Sequence, residues 1–342
     1  MEGRENMREK HDFKVLMEIV NNQQKQIELL LEKNEDLKIS LDKTTRAIED
    51  LRKINDINQR KNDVKFWQLF NNGDATELDL RKRFFKQMPK ASGVLALAQK
   101  CELVVMKIVH EVCTKNNLPY WIDYGTLIGA IRHEGFIPWD DDIDICMMRE
   151  DIDKLDDLLK DHPEVELKHY YGYKPDGLIH YIRVVFRALE NCFVDIFVYD
   201  YIDDDAPETI NKFRGIRDDF RKRSMSFAKN MTHDQYEAEF LKSYDKLKKE
   251  IANKGTKTTL LWTTENFTKE HVLTYKYDNI FPVQQIKFEN IIVNAPKEAA
   301  KQVNTYYGDI YNLPNDVGVN KHFHYNQAQL EKMEEIVKKY KI

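Results

Sequence analysis

The chain of 342 residues has no long apolar run and few cysteines. No stretch approaches the roughly 18 continuous apolar residues of a membrane-spanning helix. No apolar segment follows the charged residues 1–10 as it would in a secretory signal. The four cysteines form no C-x-x-C pair, which argues against a zinc ribbon or a thioredoxin motif. Together these absences predict a cytoplasmic protein with reduced thiols and no transmembrane segment.

An excess of basic charge is also missing. The formal net charge is −5, and basic residues are dispersed among acidic ones. A dedicated nucleic-acid-binding protein normally carries a basic surface, so we expect no nucleic-acid partner. The net charge does not exclude a local phosphate-binding pocket, because such a pocket needs only a few basic side chains.

The first sixty residues lack proline and have no aromatic residue after Phe13. Apolar side chains recur at alternating steps of four and three from Leu16 to Leu51, which is a heptad pattern. Mostly β-branched a positions, mostly leucine d positions and Asn34 at an a position favour a parallel homodimeric coiled coil. The alternative is one long amphipathic helix folded back on the rest of the chain.

The composition divides the chain into three parts. We expect a coiled-coil helix over residues 1–58, a linker with some helix over 59–91, and a catalytic domain over 92–342. Within the last part, helical and strand patterns alternate, which predicts an α/β or α+β fold with a mixed sheet and flanking helices. The expected strands are 120–123, 142–147, 181–186 and 192–199, with a strand pair at most over 286–293.

The most informative segment is Tyr124–Ile145, which ends in a run of aspartates. Asp142 and Asp144 are two residues apart in an alternating apolar stretch, so on a strand both carboxylates share one face. Adjacent carboxylates repel each other, and a divalent cation relieves that repulsion. Oxygen ligands of this kind suit Mg²⁺ or Mn²⁺. The alternative is a solvated acidic loop, the usual role of such runs.

A third carboxylate, Asp195, lies inside an otherwise apolar strand pattern. A buried and unpaired carboxylate is costly, so this side chain needs a partner. One candidate is the metal ion bound by the first two aspartates, and another role is that of general base. The alternative is a buried ion pair with Arg183 or Arg187 on a neighbouring strand.

Phosphate-binding groups are predicted just before this acidic run. Gly125 and Thr126 precede a helix, whose N-terminal N–H groups can cradle a phosphate. Arg132 can clamp a phosphate bidentately, or it can serve as a helix C-terminal partner or pair with nearby acids. His133 is a further candidate ligand, and Asp140 a candidate proton acceptor beside Asp195.

The runs Gly125–His133 and Gly135–Ile145 resemble the signature of the LicD/fukutin family of phosphocholine- and ribitol-phosphate-transferase-like proteins. Later segments match that family in order over roughly residues 93–325. They include Val194–Phe197 and Tyr307–Asp309. One departure is Ile145–Cys146, where many members have a small residue. The N-terminal heptads lie outside the resemblance.

The resemblance implies a nucleotidyltransferase fold and a metal-dependent phosphotransferase of the LicD type. It implies that Gly125–Thr126 forms the phosphate-facing turn, and that Asp142, Asp144 and Asp195 bind the metal. It further implies a CDP-activated donor, a glycan or glycolipid acceptor, and a role in lipopolysaccharide or polysaccharide biosynthesis. We then expect the protein in the cytoplasm or peripheral to a membrane-bound glycan assembly complex.

Two other functions compete with this one. The first is a non-catalytic scaffold in which the coiled coil is the working part and the transferase domain has degenerated. The second is a nucleotidyltransferase that uses a different acceptor. The acceptor-site candidates are an aromatic and histidine set that can equally be packing, namely Tyr170, Tyr171, Tyr173, His322 and His324.

Overall fold

The computed structural model divides the chain into two compact units, Met1–Ala75 and Thr76–Ile342. In the second unit it describes residues 76–174, 177–202, 204, 206–224, 231–250, 259–262, 273–312 and 325–342. In the first unit it describes short groups of residues between 23 and 51.

The described residues of the first unit are all helical and exposed. They include most apolar heptad positions, and the isoleucines and leucines among them are 46–68 % exposed in the single chain. Helical backbone is what the heptad pattern predicts. The coiled coil and the homodimer themselves stay predictions.

The second unit combines nine helices and nine strands among the residues that the structure describes. The helices are α1 (Glu77–Gln87), α2 (Gly93–Lys115), α3 (Tyr124–His133), α4 (Arg149–Leu159), α5 (Pro207–Ser224), α6 (His233–Glu250), α7 (Tyr277–Ile280), α8 (Ala299–Tyr307) and α9 (Gln327–Tyr340). The strands are β1 (Tyr120–Ile122), β2 (Asp144–Met148), β3 (Val165–Lys174), β4 (Gly177–Phe186), β5 (Leu189–Ile202), β6 (Thr259–Trp262), β7 (Leu273–Lys276), β8 (Gln284–Phe288) and β9 (Ile291–Ala295). The expected mixed α/β fold with flanking helices is confirmed.

Helix α1 falls within the stretch that the sequence assigns to a linker. Its side chains Leu80 and Phe85 are buried, and Arg81 donates hydrogen bonds to Asp309 and Asn312. Residues from Thr76 onward therefore share a compact unit with the transferase-like part of the chain. The composition does not reveal this, because most of the other residues of α1 are charged.

Seven strands form one mixed sheet with the central order β1-β2-β5-β4-β3. Strands β2 and β5 are parallel, whereas β1–β2, β3–β4 and β4–β5 are antiparallel. Strand β6 pairs with the end of β5, and β7 pairs with β6. The long strand β5 is therefore the element on which the neighbouring strands align.

The two faces of the sheet differ in chemistry. Ile145, Val194 and Ile196 belong to the main core, which helices α2, α3, α4 and α9 help to form. The opposite face carries Asp144 and Asp195 at one end and a second, largely aromatic core around Trp121 farther along. Period-two alternation thus separates an apolar face from the face that bears the carboxylates.

The helices in the described ranges are each too short or too polar to span a lipid bilayer.

Candidate active site

Three aspartates meet where β2 and β5 run side by side. Asp144 is the first residue of β2 and lies directly opposite Asp195 of β5. Asp142 stands two residues earlier, just before the strand begins. One carboxylate oxygen from each of the three lies within 4.8 Å of the others, close enough to hold a single metal ion.

The electrostatics of this group favour a cation. Burial raises the pKa of Asp144 well above its usual value, and the charges of Asp142, Asp195 and Asp140 raise it further. A cation bound between these carboxylates would offset this penalty on the charged form. Three carboxylates of this kind fit a hard divalent ion such as Mg²⁺ or Mn²⁺.

Asp195 also forms an ion pair. Nε of Arg183 donates to Oδ1 of Asp195 at 2.6 Å, and Nη2 donates to Oδ2 at 3.2 Å. The two residues face each other across the β4–β5 pair. Two of the roles that the sequence left open for Asp195 are thus combined in one geometry: it pairs with Arg183, and it stands within reach of the other two aspartates.

The start of α3 packs directly against the acidic run. A Cβ atom added to Gly125 would lie 2.6 Å from Oδ2 of Asp140, so glycine allows this carboxylate to approach the helix. The hydroxyl of Thr126 accepts a hydrogen bond from the backbone N–H of Asp144 at 2.8 Å. Gly125 and Thr126 therefore lie beside the carboxylates, and their role as a phosphate cradle stays a prediction.

Asp123 caps α3 and is a fourth carboxylate near the site, and its side chain is fully buried. It accepts hydrogen bonds from the backbone N–H of Tyr124 at 2.9 Å and from Nε2 of Gln302 at 2.7 Å. Burial raises its pKa to about 6 in spite of these bonds. Its position immediately before the Tyr-Gly-Thr turn, in N-cap position, is the sequence signal that points to it.

Arg132 and His133 lie at the other end of α3 and contact other parts of the chain. Nη1 of Arg132 donates to the carbonyl of Ile310 at 2.7 Å, Nε donates to Nε2 of His133, and the guanidinium lies 4.2 Å from the centre of the Phe85 ring. Arg132 is buried. Burial and the charge of Arg132 lower the pKa of His133 to about 4, so the imidazole is neutral at neutral pH. These contacts tie α3 to α1 and to the segment after α8.

The phosphate-binding roles of Arg132 and His133 stay predictions. The observed contacts nevertheless give both side chains a structural function that spacing alone does not reveal, because Phe85 and Ile310 are distant in the sequence.

Two further groups near the carboxylates were not predicted from the sequence. Glu102 of α2 is fully buried, and its carboxyl oxygens have no hydrogen-bond partner in the described part of the chain. Burial raises its pKa well above the usual value, and Asp142, Asp141 and Asp140 add to the shift. Its sequence neighbours give no warning, since a glutamate in an apolar helix usually faces solvent.

Tyr307 is the second of these groups. Its ring is half exposed at the end of α8. Burial raises the pKa of its hydroxyl, and the negative charges of Asp144 and Asp123 raise it further. The Tyr-Gly-Asp landmark at 307–309 is the only sequence signal for it.

The acceptor-site candidates are divided by strand alternation. Tyr170 stacks on Tyr181 with ring centroids 4.9 Å apart, and Tyr181 shares the Arg183 face of β4. Tyr171 stacks on His180, on the opposite face. The side chain of Tyr173 and residues 322 and 324 lie outside the described part of the chain.

With the carboxylates placed, comparison with known families gives a clear match. Residues 117–243 match the family described as LicD/FKTN/FKRP, nucleotidyltransferase domain. The resemblance to the LicD family is confirmed over this segment. It contains α3, the acidic run, β2 and β5, and thus all three aspartates.

Curated relatives match shorter parts of the chain. A Rickettsia prowazekii protein of uncharacterised function is 44 % identical over 94 residues, which is 28 % of this chain and 31 % of that protein. The lipopolysaccharide cholinephosphotransferase LicD of Haemophilus influenzae is 31 % identical over 112 residues, 29 % of this chain and 41 % of LicD. The human ribitol-5-phosphate transferase FKTN is 24 % identical over 119 residues, 34 % of this chain and 25 % of FKTN. The chain thus spans less than half the length of each of these relatives.

Proposed function

We propose that this protein transfers a substituted phosphate of the phosphocholine type from a CDP-activated donor to a hydroxyl of a glycan or glycoconjugate, releasing CMP. The observation that carries the proposal is the meeting of three carboxylates at the head of a parallel strand pair. The family match and the activities by which LicD and FKTN are named support the reaction type.

In this proposal Asp142, Asp144 and Asp195 hold Mg²⁺ or Mn²⁺, which supplies positive charge to a bound diphosphate. The N–H groups at the start of α3 face phosphate oxygens of the donor. The hydroxyl of Thr126 fixes the first amide of β2, which sets the position of the Asp144 carboxylate.

The remaining task for the chain is proton transfer. As the acceptor oxygen bonds to the transferred phosphorus, the bond from phosphorus to the CMP oxygen breaks, and the acceptor hydroxyl gives up its proton. Asp140 or Asp195 receives that proton. Asp195 lies across the β4–β5 pair from Arg183, whereas Asp140 stands against the start of α3, so both carboxylates border the site.

The test is a release assay on the purified full chain. CDP-choline, CDP-ribitol, CDP-glycerol and CTP are each supplied with Mg²⁺ or with EDTA, and free CMP and pyrophosphate are quantified. We expect EDTA-sensitive CMP from one CDP donor. Pyrophosphate from CTP would instead identify a nucleotidyltransferase of another kind.

Variants make the assay specific to the site. Asp142→Asn and Asp144→Asn should abolish CMP release, whereas Asp157→Asn, an exposed aspartate on α4, should leave it unchanged. Full turnover by both site variants would refute the metal-binding role. No CMP from any donor, together with no thermal stabilisation by any of them, would favour the scaffold function.

A further inference from the structure

Arg183 is held rigidly beside the carboxylate group. Two of its N–H groups bond the two oxygens of Asp195. Its guanidinium lies 3.7 Å from the centre of the Phe193 ring and 4.8 Å from that of Tyr181. Stacking on aromatic faces and fork-shaped bonding to a carboxylate both fix the plane of a guanidinium. The side chain therefore has little freedom left to lose when a ligand binds.

Part of this guanidinium is still available for a ligand. A guanidinium carries five N–H donors, and Asp195 takes two of them. Nη1 makes no hydrogen bond within the part of the chain that the structure describes. The side chain is 24 % exposed. A fixed cation with unused donors and an open edge is suited to binding an oxyanion bidentately.

The negative charge of the aspartates near Arg183 favours a further cation at this site. Asp142, Asp195 and Asp140 place negative charge around Asp144 at the head of β2. A single divalent ion does not balance three or more carboxylates and an incoming diphosphate together. Arg132, the arginine that the sequence suggested for this task, donates instead to Ile310 and His133.

We propose that Arg183 is a phosphate-binding residue of this site, which holds Asp195 with one edge of its guanidinium and receives a phosphate oxygen of the ligand with the other. The assignment rests on the proposed function for the nature of the ligand, a nucleoside diphosphate. The geometry by itself requires only a phosphate or diphosphate group.

The experiment measures binding instead of turnover. CDP, inorganic pyrophosphate and cytidine are titrated calorimetrically into the full chain with Mg²⁺ present. Arg183→Gln should weaken CDP and pyrophosphate binding by about 10- to 100-fold, the range expected for losing a charge-assisted hydrogen bond. Cytidine has no phosphate, so its affinity should not change. Loss of the fold around Arg183 would weaken all three probes alike. An effect that acts only through Asp195 and its metal would vanish when the titrations are repeated in EDTA, and that result would overturn the inference.

Lys168 provides the matched control. It stands directly opposite Arg183 on the neighbouring strand β3 and pairs with Glu190. Lys168→Gln removes the same charge one strand farther from the aspartates, and we expect CDP affinity to change by less than about twofold. Arg183→Lys keeps a charge beside Asp195 without the second edge. It should fold and bind CDP with intermediate affinity, and it replaces Arg183→Gln if that variant does not fold.

The outcomes separate this inference from the proposed function. Equal CDP affinity in the parent protein and both Arg183 variants would overturn the inference and leave the CDP donor standing. The parent protein could also bind pyrophosphate as tightly as CDP, with both affinities reduced in the Arg183 variants. That result would support the role of Arg183 and refute specific recognition of CDP. A parent protein that binds neither probe would also overturn the inference, because a phosphate site must bind phosphate.

Discussion

The two compact units differ in which side chains lie in an unfavourable environment: apolar side chains face water in the first, and acidic side chains are buried in the second. In the first unit, seven leucines and isoleucines at described positions are 46–68 % exposed to water in the single chain. In the second unit, side chains of these types form the core, whereas Glu102, Asp123 and Asp144 are buried. Exposed apolar side chains in heptads need a second helix, and buried acids need a cation or a proton. We therefore expect the first unit to pair with another helix and the second unit to bind a cation.

Removing a buried acid should have the largest effect. Asp144→Asn is expected to lower CMP release by about 1000-fold or more, because metal binding contributes several kcal/mol to transition-state stabilisation. The same variant should be more stable than the parent protein in EDTA above about pH 4, the unfolded carboxyl pKa. The pKa of Asp144 is raised in the folded parent. The free energy of unfolding of the parent therefore falls as the pH rises above the unfolded pKa of about 4.

Turnover and EDTA melting curves across pH check both halves of this prediction. A variant that lost activity and metal-free stability together would show that Asp144 supports the fold, and would remove the contrast between the two units.

Breaking the heptad seam should have the next largest effect. Leu30 and Leu37 are d positions, whereas Leu31 is equally exposed but lies off the seam. The double change Leu30→Asn and Leu37→Asn should raise the dimer dissociation constant by about 100-fold or more, since each buried leucine contributes about 1.5–3 kcal/mol. Leu31→Asn is the control and should leave the dimer intact.

Sedimentation equilibrium measures the dissociation constant, and CMP release per chain should stay within about twofold. An equal effect of Leu31→Asn would contradict the seam, and a monomeric parent protein would contradict the coiled coil itself.

Glu102→Gln tests the second buried acid by its effect on stability. The folded pKa of Glu102 is raised. Below the pKa of the unfolded chain, Glu102 is protonated in both the folded and the unfolded state. Above that pKa, the free energy of unfolding of the parent falls as the pH rises toward the pKa of the folded state. The variant should therefore gain on the parent by up to roughly 1.4 kcal/mol per pH unit above about pH 4.5. Denaturant unfolding at several pH values measures this difference, and a constant gap across pH would contradict the prediction.

A change of one methyl group should have the smallest effect. Gly125→Ala would push the Asp140 carboxylate from the start of α3, and we expect CMP release to fall by about tenfold, the effect of a mispositioned group worth about 1.4 kcal/mol. Gly215→Ala on α5 meets no atom within 4 Å and should raise the free energy of unfolding by about 0.5–1 kcal/mol. Unchanged turnover in Gly125→Ala would show that Asp140 tolerates displacement.

The sequence predicts those parts of the site that depend on local periodicity. Asp142 and Asp144 were placed on one face by alternation, and the structure brings them together, although β2 begins only at Asp144. The fold class followed in the same way from alternating helical and strand patterns. Strand β3 was missed, because its polar and aromatic residues lack the continuous β-branched pattern of the other strands.

Features that depend on strand register or on contacts between distant residues could not be predicted from the sequence. Whether Arg183 or Arg187 meets Asp195 is decided by the β4–β5 register, which one residue of slippage would change. The contacts of Arg132 were equally hidden, since its carbonyl partner at Ile310 lies 178 positions away. Local pattern has no information about such pairs.

The parallel pair of β2 and β5 also bears on how the protein folds. Asp144 and Asp195 are neighbours in space but lie 51 positions apart (195 − 144), with two antiparallel strands and a helix between them. We expect such a non-local pairing to form late, because a long loop must close before any contact compensates for the lost chain entropy. The three aspartates therefore exist as a group only after the sheet has assembled. Cation affinity, followed during refolding, would report the moment at which the central strands join.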